Sequence, residues 1–141
     1  LAEVKKELQG GFMGHPIINY FRQLLLPTQG YRHFNQNEIE GLKPKFARIL
    51  DDMREESGFP YKINSGLRTP AQNKALKDSA SNSGHLRGWE ADIACTDSAR
   101  RDKIIELSYK YGITRRGVGD GFVHLGIDPT LPQNVMWTYY K

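Results

Sequence analysis

The sequence contains a single cysteine, Cys95, so it can form no internal disulfide and no cluster of thiolates around a metal. It has no apolar run near the roughly 20 residues that a membrane-spanning helix needs. Basic residues never occur more than two in a row, and Lys and Arg outnumber Asp and Glu by only 20 to 16. We therefore expect neither nucleic-acid binding nor membrane insertion, and any metal site must use histidines and carboxylates.

The composition is that of a globular protein, with 38% hydrophobic and 11% aromatic residues in a chain of 141. This length suits one domain with a buried core, and we expect a monomer. Glycines and prolines interrupt any periodic pattern near the start, which predicts an N-terminal arm over residues 1–30 and one domain over residues 31–141. The net charge of +4 modestly favours an anionic polymer, such as a bacterial cell wall, as partner.

Helical periodicity is clearest after the arm. Asn37 and Glu40 match a capping box, and apolar residues then recur at helical spacing, which predicts a helix from Asn37 to about Gly58. Two further helices are predicted, one opening at Thr69 and one starting at residues 96–97 and stopping near residue 112.

Five segments have the alternation or the apolar run that is typical of strands: 61–65, 89–95, 114–118, 122–127 and 135–140. Together with the helices, they predict an α+β fold with a small, mainly antiparallel sheet and flanking helices.

One carboxylate and two histidines stand out as candidate metal ligands. Asp92 lies within an apolar strand, where a carboxylate is costly unless a cation pairs with it. His85 precedes it in a polar loop in which Gly88 allows a turn, and His124 lies in another apolar strand. Such a set leaves a fourth position for water, as in catalytic zinc sites. The alternative is that Asp92 pairs with Arg87 or another cation and that His124 is an ordinary core residue.

Three motifs in order resemble those of the zinc D-alanyl-D-alanine carboxypeptidases, a family that includes L-alanyl-D-glutamate endopeptidases and shares its fold with the hedgehog signalling domain. "SGHLRGWEAD" (83–92) is similar to the family motif Ser-x-His-x-x-Gly-x-Ala-x-Asp. "INSGLRTPAQNKAL" (63–76) resembles the upstream strand and helix, and "GFVHLGI" (121–127) resembles the closing strand. The resemblance runs from about residue 33 to the C-terminus.

The resemblance implies that His85, Asp92 and His124 bind Zn²⁺. Arg68 matches the family arginine that holds a substrate carboxylate or polarises the scissile carbonyl, a role that suits a fixed guanidinium. Ser83 matches the motif serine, which we expect to shape the loop because nothing around it is suited to acylation.

The general base is where the sequence departs from the family pattern. Gly121 and Gly126 occupy the two places, before and after the last histidine, where members carry an acid. Asp120 is the favoured alternative, although about 13 Å of extended strand would separate it from His124 unless the flanking glycines fold the chain back. Asp128 and Glu90, which replaces the motif alanine, are the other candidates.

These features predict a zinc-dependent peptidase that hydrolyses peptide stems of bacterial peptidoglycan, as a carboxypeptidase or an endopeptidase. A phage lytic enzyme would use the same chemistry. It would act at the cell wall, whatever its route there. The alternative is a non-catalytic, zinc-containing module that binds the cell wall, which the missing acid at position 121 favours.

Overall fold

Two helices and five strands are formed by residues 30–66 and 84–140, the part of the chain that the computed structural model describes. They are helices α1 (Pro44–Ser57) and α2 (Ser98–Lys110) and strands β1 (Ile63–Ser65), β2 (Glu90–Ala94), β3 (Arg115–Val118), β4 (Phe122–Gly126) and β5 (Val135–Thr138). None of the helices in these two ranges is long and apolar enough to cross a membrane. The predicted helix at Thr69 and almost all of the predicted N-terminal arm lie outside the described residues.

The first helix begins at Pro44, and the prediction that it begins at Asn37 is wrong. Proline lacks an N–H and its ring would clash with the carbonyl of residue 40 in a continuous helix, whereas the first helical position accommodates it. The reciprocal capping contacts occur two residues earlier than predicted. Asn35 N–H donates to Glu38 Oε2 (2.8 Å) and Glu38 N–H donates to Asn35 Oδ1 (2.9 Å), and they stabilise a turn rather than a helix.

The other helix ends follow the sequence signals. Gly58 caps α1 in the left-handed conformation (φ 78°), and its N–H donates to the Arg54 carbonyl at 3.1 Å. At the start of α2, the Asp97 side chain accepts a hydrogen bond from the N–H of Arg100 at 2.9 Å. These caps satisfy backbone groups that a helix leaves unpaired at its termini.

The sheet has the strand order β1-β2-β4-β3-β5. The pairs β1–β2, β2–β4 and β3–β4 are antiparallel, and β5 adds to β3 in parallel at the edge. The expectation of an α+β fold with a small, mainly antiparallel sheet is therefore confirmed.

The two faces of the sheet differ in chemistry because side chains alternate along each strand. One face of β2 and β4 is fully buried in the hydrophobic core, to which both helices also contribute residues. The side chains on this face are Ala91, Ile93, Val123 and Leu125. Burial of such aliphatic side chains contributes about 1.5–3 kcal/mol each. The alternate positions of the same strands, Glu90, Asp92 and His124, project from the opposite face. The helices thus support the sheet from one side and leave the other for a polar site.

Candidate metal centre

The strand register places two of the candidate ligands side by side. Asp92 of β2 pairs directly with His124 of β4, His124 pairs with Gly117 of β3, and Gly117 pairs with Trp137 of β5. Directly opposed residues of neighbouring strands have their side chains on the same face, about 4.5–5.5 Å apart. This row across the sheet therefore brings a carboxylate, an imidazole and an indole to one side, with a glycine between the two rings.

The third candidate, His85, reaches the row from a turn rather than from a strand. It lies in the short 3₁₀ helix Gly84–Leu86, and Gly88 (φ 78°) then reverses the chain into β2. The Gly88 carbonyl accepts a hydrogen bond from Lys43 N–H at 3.0 Å, which fastens the turn to the segment before α1. A side chain at position 88 would overlap the carbonyl oxygen of Gly41. The turn expected from the sequence is present, and it depends on glycine for both conformation and space.

Hydrogen bonds determine which ring nitrogen each histidine offers. His85 Nδ1 lies 2.7 Å from the Gly66 carbonyl oxygen, which can only accept, so Nδ1 carries the proton and Nε2 is left for a ligand. His124 Nε2 lies 3.0 Å from Glu90 Oε1, so the ring nitrogen that faces the cluster is Nδ1. His85 Nε2 and His124 Nδ1 both face Asp92, so two different hydrogen-bond partners direct two rings to a common point.

The spacing of the donor atoms fits a tetrahedral zinc ion. His124 Nδ1 is 2.8 Å from Asp92 Oδ1 and 3.3 Å from His85 Nε2, and His85 Nε2 is 3.6 Å from Asp92 Oδ2. Ligand atoms about 2.1 Å from a tetrahedral zinc lie roughly 3.4 Å from one another, a value close to these distances, which involve both oxygens of Asp92. These three side chains form the one group of potential metal ligands in the described parts of the chain, with donor atoms within 4.8 Å of each other.

The electrostatics of the site favour positive charge. Burial lowers the pKa of His124, but its hydrogen bonds to Asp92 and Glu90 outweigh that effect and raise the pKa above the usual value of 6.5. Burial raises the pKa of Glu90, and here the hydrogen bonds from His124 and Arg115 outweigh burial, so the pKa falls below 4.5. Two carboxylates therefore flank one buried imidazole and, because Arg115 offsets the charge of Glu90, Asp92 supplies the negative charge toward a divalent cation.

The alternative in which Asp92 is paired by Arg87 does not describe the observed contacts. Arg87 Nε instead donates to Asp128 Oδ2 at 2.6 Å, and Asp128 is fully buried. Thr130 donates to the other oxygen of Asp128 through its N–H (2.9 Å) and its hydroxyl (2.7 Å). The partners of Asp92 among the described residues are the two histidines.

The three candidates for the general base are placed very differently. Asp120 is exposed at the tip of the β3–β4 hairpin, and its backbone carbonyl accepts from Arg101 at 3.5 Å. Asp128 is engaged with Arg87 and Thr130, and Glu90 is engaged with His124. The structure thus brings Glu90 next to a candidate ligand but does not bring Asp120 or Asp128 into the cluster.

Two predicted site residues, Arg68 and Ser83, lie outside the described residues. Trp89, next to Glu90 in the first motif, is half-buried against the core, with Lys43 Nζ 5.9 Å from its ring centroid. Packing against the core accounts for an aromatic residue at this position.

Trp137 is a neighbour of the site that the sequence analysis missed. Its ring centroid lies 5.2 Å from that of His124, and a Cβ at position 117 would be 2.6 Å from its Nε1. The absence of a side chain at Gly117 therefore lets the indole lie over β3 beside the imidazole. The alternation in "VMWT" predicts a strand but not the strand with which it pairs. The pairing of β5 with β3 is what brings Trp137 next to His124.

Comparison with known proteins identifies the family. A family model described as Peptidase M15 matches residues 21–126, which is well over half of the chain and includes all three candidate ligands. No curated protein matches the sequence. Peptidases of this family are zinc-dependent metallopeptidases, in agreement with the donor set His85, Asp92 and His124. The chain belongs to the peptidase M15 family.

Proposed function

We propose that this protein is a zinc-dependent peptidase that hydrolyses the peptide stems of bacterial peptidoglycan. The observation that carries the proposal is the convergence of His85 Nε2, Asp92 and His124 Nδ1 within 4.8 Å of one another, with the outer nitrogen of each ring held by a hydrogen bond. The match to the peptidase M15 family supports the same reaction. The modest positive charge of the chain suits an anionic wall polymer.

An ion held by these three side chains would be reached from the side of Asp92. Asp92 is partly exposed, whereas His85 and His124 are 2% and 5% exposed, so solvent and substrate approach the site on the Asp92 side. Zinc held there would supply Lewis acidity toward a peptide carbonyl and would lower the pKa of water. Three protein ligands with an open position are the arrangement of catalytic rather than structural zinc.

Two further roles are part of the proposal. Arg68 would hold a substrate carboxylate or the developing oxyanion, as the family motif implies. Asp120 would act as general base, since Asp128 and Glu90 are committed to other partners. About 13 Å of extended strand separates Asp120 from His124, so Asp120 would serve only if the hairpin tip folds toward the site. An Asp120→Asn variant that keeps full kcat would remove Asp120 from the mechanism.

The first test combines metal content with product analysis. Elemental analysis should find about one zinc per chain, and the His85→Ala variant should lose it. Purified stem peptides should then be digested and the products identified by mass spectrometry. Release of a terminal D-alanine defines a carboxypeptidase, and cleavage within the stem defines an endopeptidase. Zinc-loaded protein that leaves every stem peptide intact would overturn the peptidase proposal.

A non-catalytic, zinc-containing module that binds the cell wall is the second candidate. The observation that favours it is the position of Asp120, exposed at a hairpin tip and outside the ligand cluster. Such a module would sediment with purified cell walls without releasing peptides, and Asp120→Asn would leave its binding unchanged. Cleavage by the wild-type protein that is lost in Asp120→Asn would exclude it.

A further inference from the structure

We infer that Glu90, held by Arg115, is a positioning residue that fixes His124 for metal binding. The inference rests on the proposed function and concerns a residue that stands where the family motif has alanine. It distinguishes the role of Glu90 from that of a general base.

The contacts of Glu90 lie on the side of His124 that faces away from the ligand cluster. Glu90 Oε1 accepts from His124 Nε2 (3.0 Å), whereas the opposite ring nitrogen, Nδ1, faces Asp92 (2.8 Å) and His85 (3.3 Å). The imidazole thus stands between the Glu90 oxygen and the point where the three donors converge. Glu90 can act on the metal through the ring but is not aimed at the reacting atoms.

Arg115 accounts for the burial of this carboxylate. Glu90 is 2% exposed, and a buried carboxylate is costly unless it is paired and hydrogen-bonded. Arg115 Nε donates to the same Oε1 at 2.8 Å, and its Nη1 donates to the Pro132 carbonyl at 2.6 Å. The guanidinium also lies 5.2 Å from the centroid of the Trp137 ring. Arg115 is therefore anchored on two sides and holds Glu90 in one orientation.

The sheet provides space for this arrangement. Glu90 pairs with Gly126 of β4, and Gly126 pairs with Arg115 of β3, so the two charged side chains meet above a glycine. A Cβ at position 126 would lie 2.5 Å from Glu90 Oε1. Any side chain there would displace the carboxylate from His124.

The physical consequence is control of the His124 tautomer. A carboxylate that accepts from Nε2–H keeps a proton on that nitrogen, so that Nδ1 is the nitrogen that would give up its proton to a metal, in the orientation that the metal needs. The Gly66 carbonyl does the same for His85 from the other side. Loss of such a partner generally weakens metal binding by about 10–100-fold.

The test is Glu90→Gln, which keeps the shape of the side chain and replaces the charged acceptor of His124 Nε2–H by a weaker, neutral one. We expect zinc affinity, measured by competition with a chelating indicator, to fall about 10–100-fold. The absorption bands of the Co²⁺-substituted protein should also shift, because the ligand field of His124 changes. The matched control is Glu56→Gln, which makes the same change in the ion pair with Lys110 (2.7 Å) on the surface. It should change neither readout.

Three outcomes are decisive. If wild-type protein binds zinc but both Glu90→Gln and Glu90→Ala bind it within twofold with an unchanged Co²⁺ spectrum, the positioning role is wrong and the peptidase proposal stands. If wild-type protein binds neither metal, the proposed function itself fails. If Glu90→Gln does not fold in metal-free buffer, Arg115→Lys replaces it. Loosened support for Glu90 should then lower zinc affinity relative to wild type, and unchanged affinity would overturn the inference.

Discussion

Replacement of Gly88 by alanine should damage both the fold and the metal centre. Gly88 has a φ of 78°, a conformation that L residues rarely adopt, and a Cβ there would overlap the backbone oxygen of Gly41. Because the obstacle is backbone and not the end of a flexible side chain, the turn itself must move. The turn connects His85 to β2, so its displacement should also weaken zinc binding.

The magnitude follows from two contributions. A left-handed conformation costs a residue with a Cβ about 1–2 kcal/mol, and overpacking typically costs about 1–3 kcal/mol more. The sum predicts a loss of about 2–5 kcal/mol in the free energy of unfolding. Restriction of the unfolded chain by alanine offsets about 0.4–1 kcal/mol of this loss.

The chain contains a matched control for the conformational contribution. Gly58 has the same φ of 78°, but a Cβ there would meet nothing within 4 Å. Gly58→Ala should therefore cost only about 1–2 kcal/mol. The offset from the unfolded state applies equally to both variants, so the difference between them isolates the clash at about 1–3 kcal/mol.

Urea unfolding in the presence of a chelator measures both variants without the stabilisation that metal binding adds. Gly88→Ala should unfold at a clearly lower urea concentration than Gly58→Ala. The reasoning is refuted if the two free energies of unfolding agree within about 0.5 kcal/mol, since the overlap with Gly41 would then carry no cost.

Three further predictions concern the metal and pH. Zinc at 100 times its Kd should stabilise the wild type by about 2.7 kcal/mol in thermal unfolding and should leave His85→Ala unaffected. Asp128→Asn should cost about 1.5–3 kcal/mol through its lost bond to Arg87, as measured by urea unfolding. Burial raises the pKa of Asp128, but bonds from Thr130 and Arg87 outweigh it and bring the pKa below 3.8. The wild type should therefore lose this contribution as pH falls below that value, and Asp128→Asn should show a weaker acid dependence. Burial raises the pKa of Tyr61 from 10 to about 12, so about 2.7 kcal/mol of stability should disappear between pH 10 and 12. An equally steep alkaline loss in Tyr61→Phe would contradict this assignment.

Local sequence signals predicted most of the secondary structure because they act over a few residues. The apolar run around Asp92 and the alternation of the last strands identified β2 to β5, and Asp97 marked the start of α2. The same reasoning failed at Asn37, where a capping pattern was present but Pro44 prevented a helix from running through it. A cap pattern and a proline conflict locally, and the proline prevails because its covalent ring cannot be accommodated.

Glu90 shows the limit of reading residues one at a time. In the sequence, Glu90 in place of the motif alanine and Gly126 in place of an acid are two separate departures from the family pattern. The register between β2 and β4 shows that they are one feature, since Glu90 lies over Gly126 and reaches His124. Pairing between strands was needed to see this, because the two positions are far apart in the chain.

By itself, the sequence determined the types of residue available for chemistry: two histidines and an aspartate in motifs of a zinc peptidase family. Its single cysteine is not enough for a metal site made of thiolates. Tertiary structure alone decided how they meet. The register sets Asp92 beside His124, and the turn at Gly88 brings His85 to both. The parallel addition of β5 places Trp137 next to the site. Local propensity depends on residues that are adjacent in the chain, so the sequence alone reveals it. Strand register and ring orientation depend on hydrogen bonds between distant segments, which only the folded chain brings together.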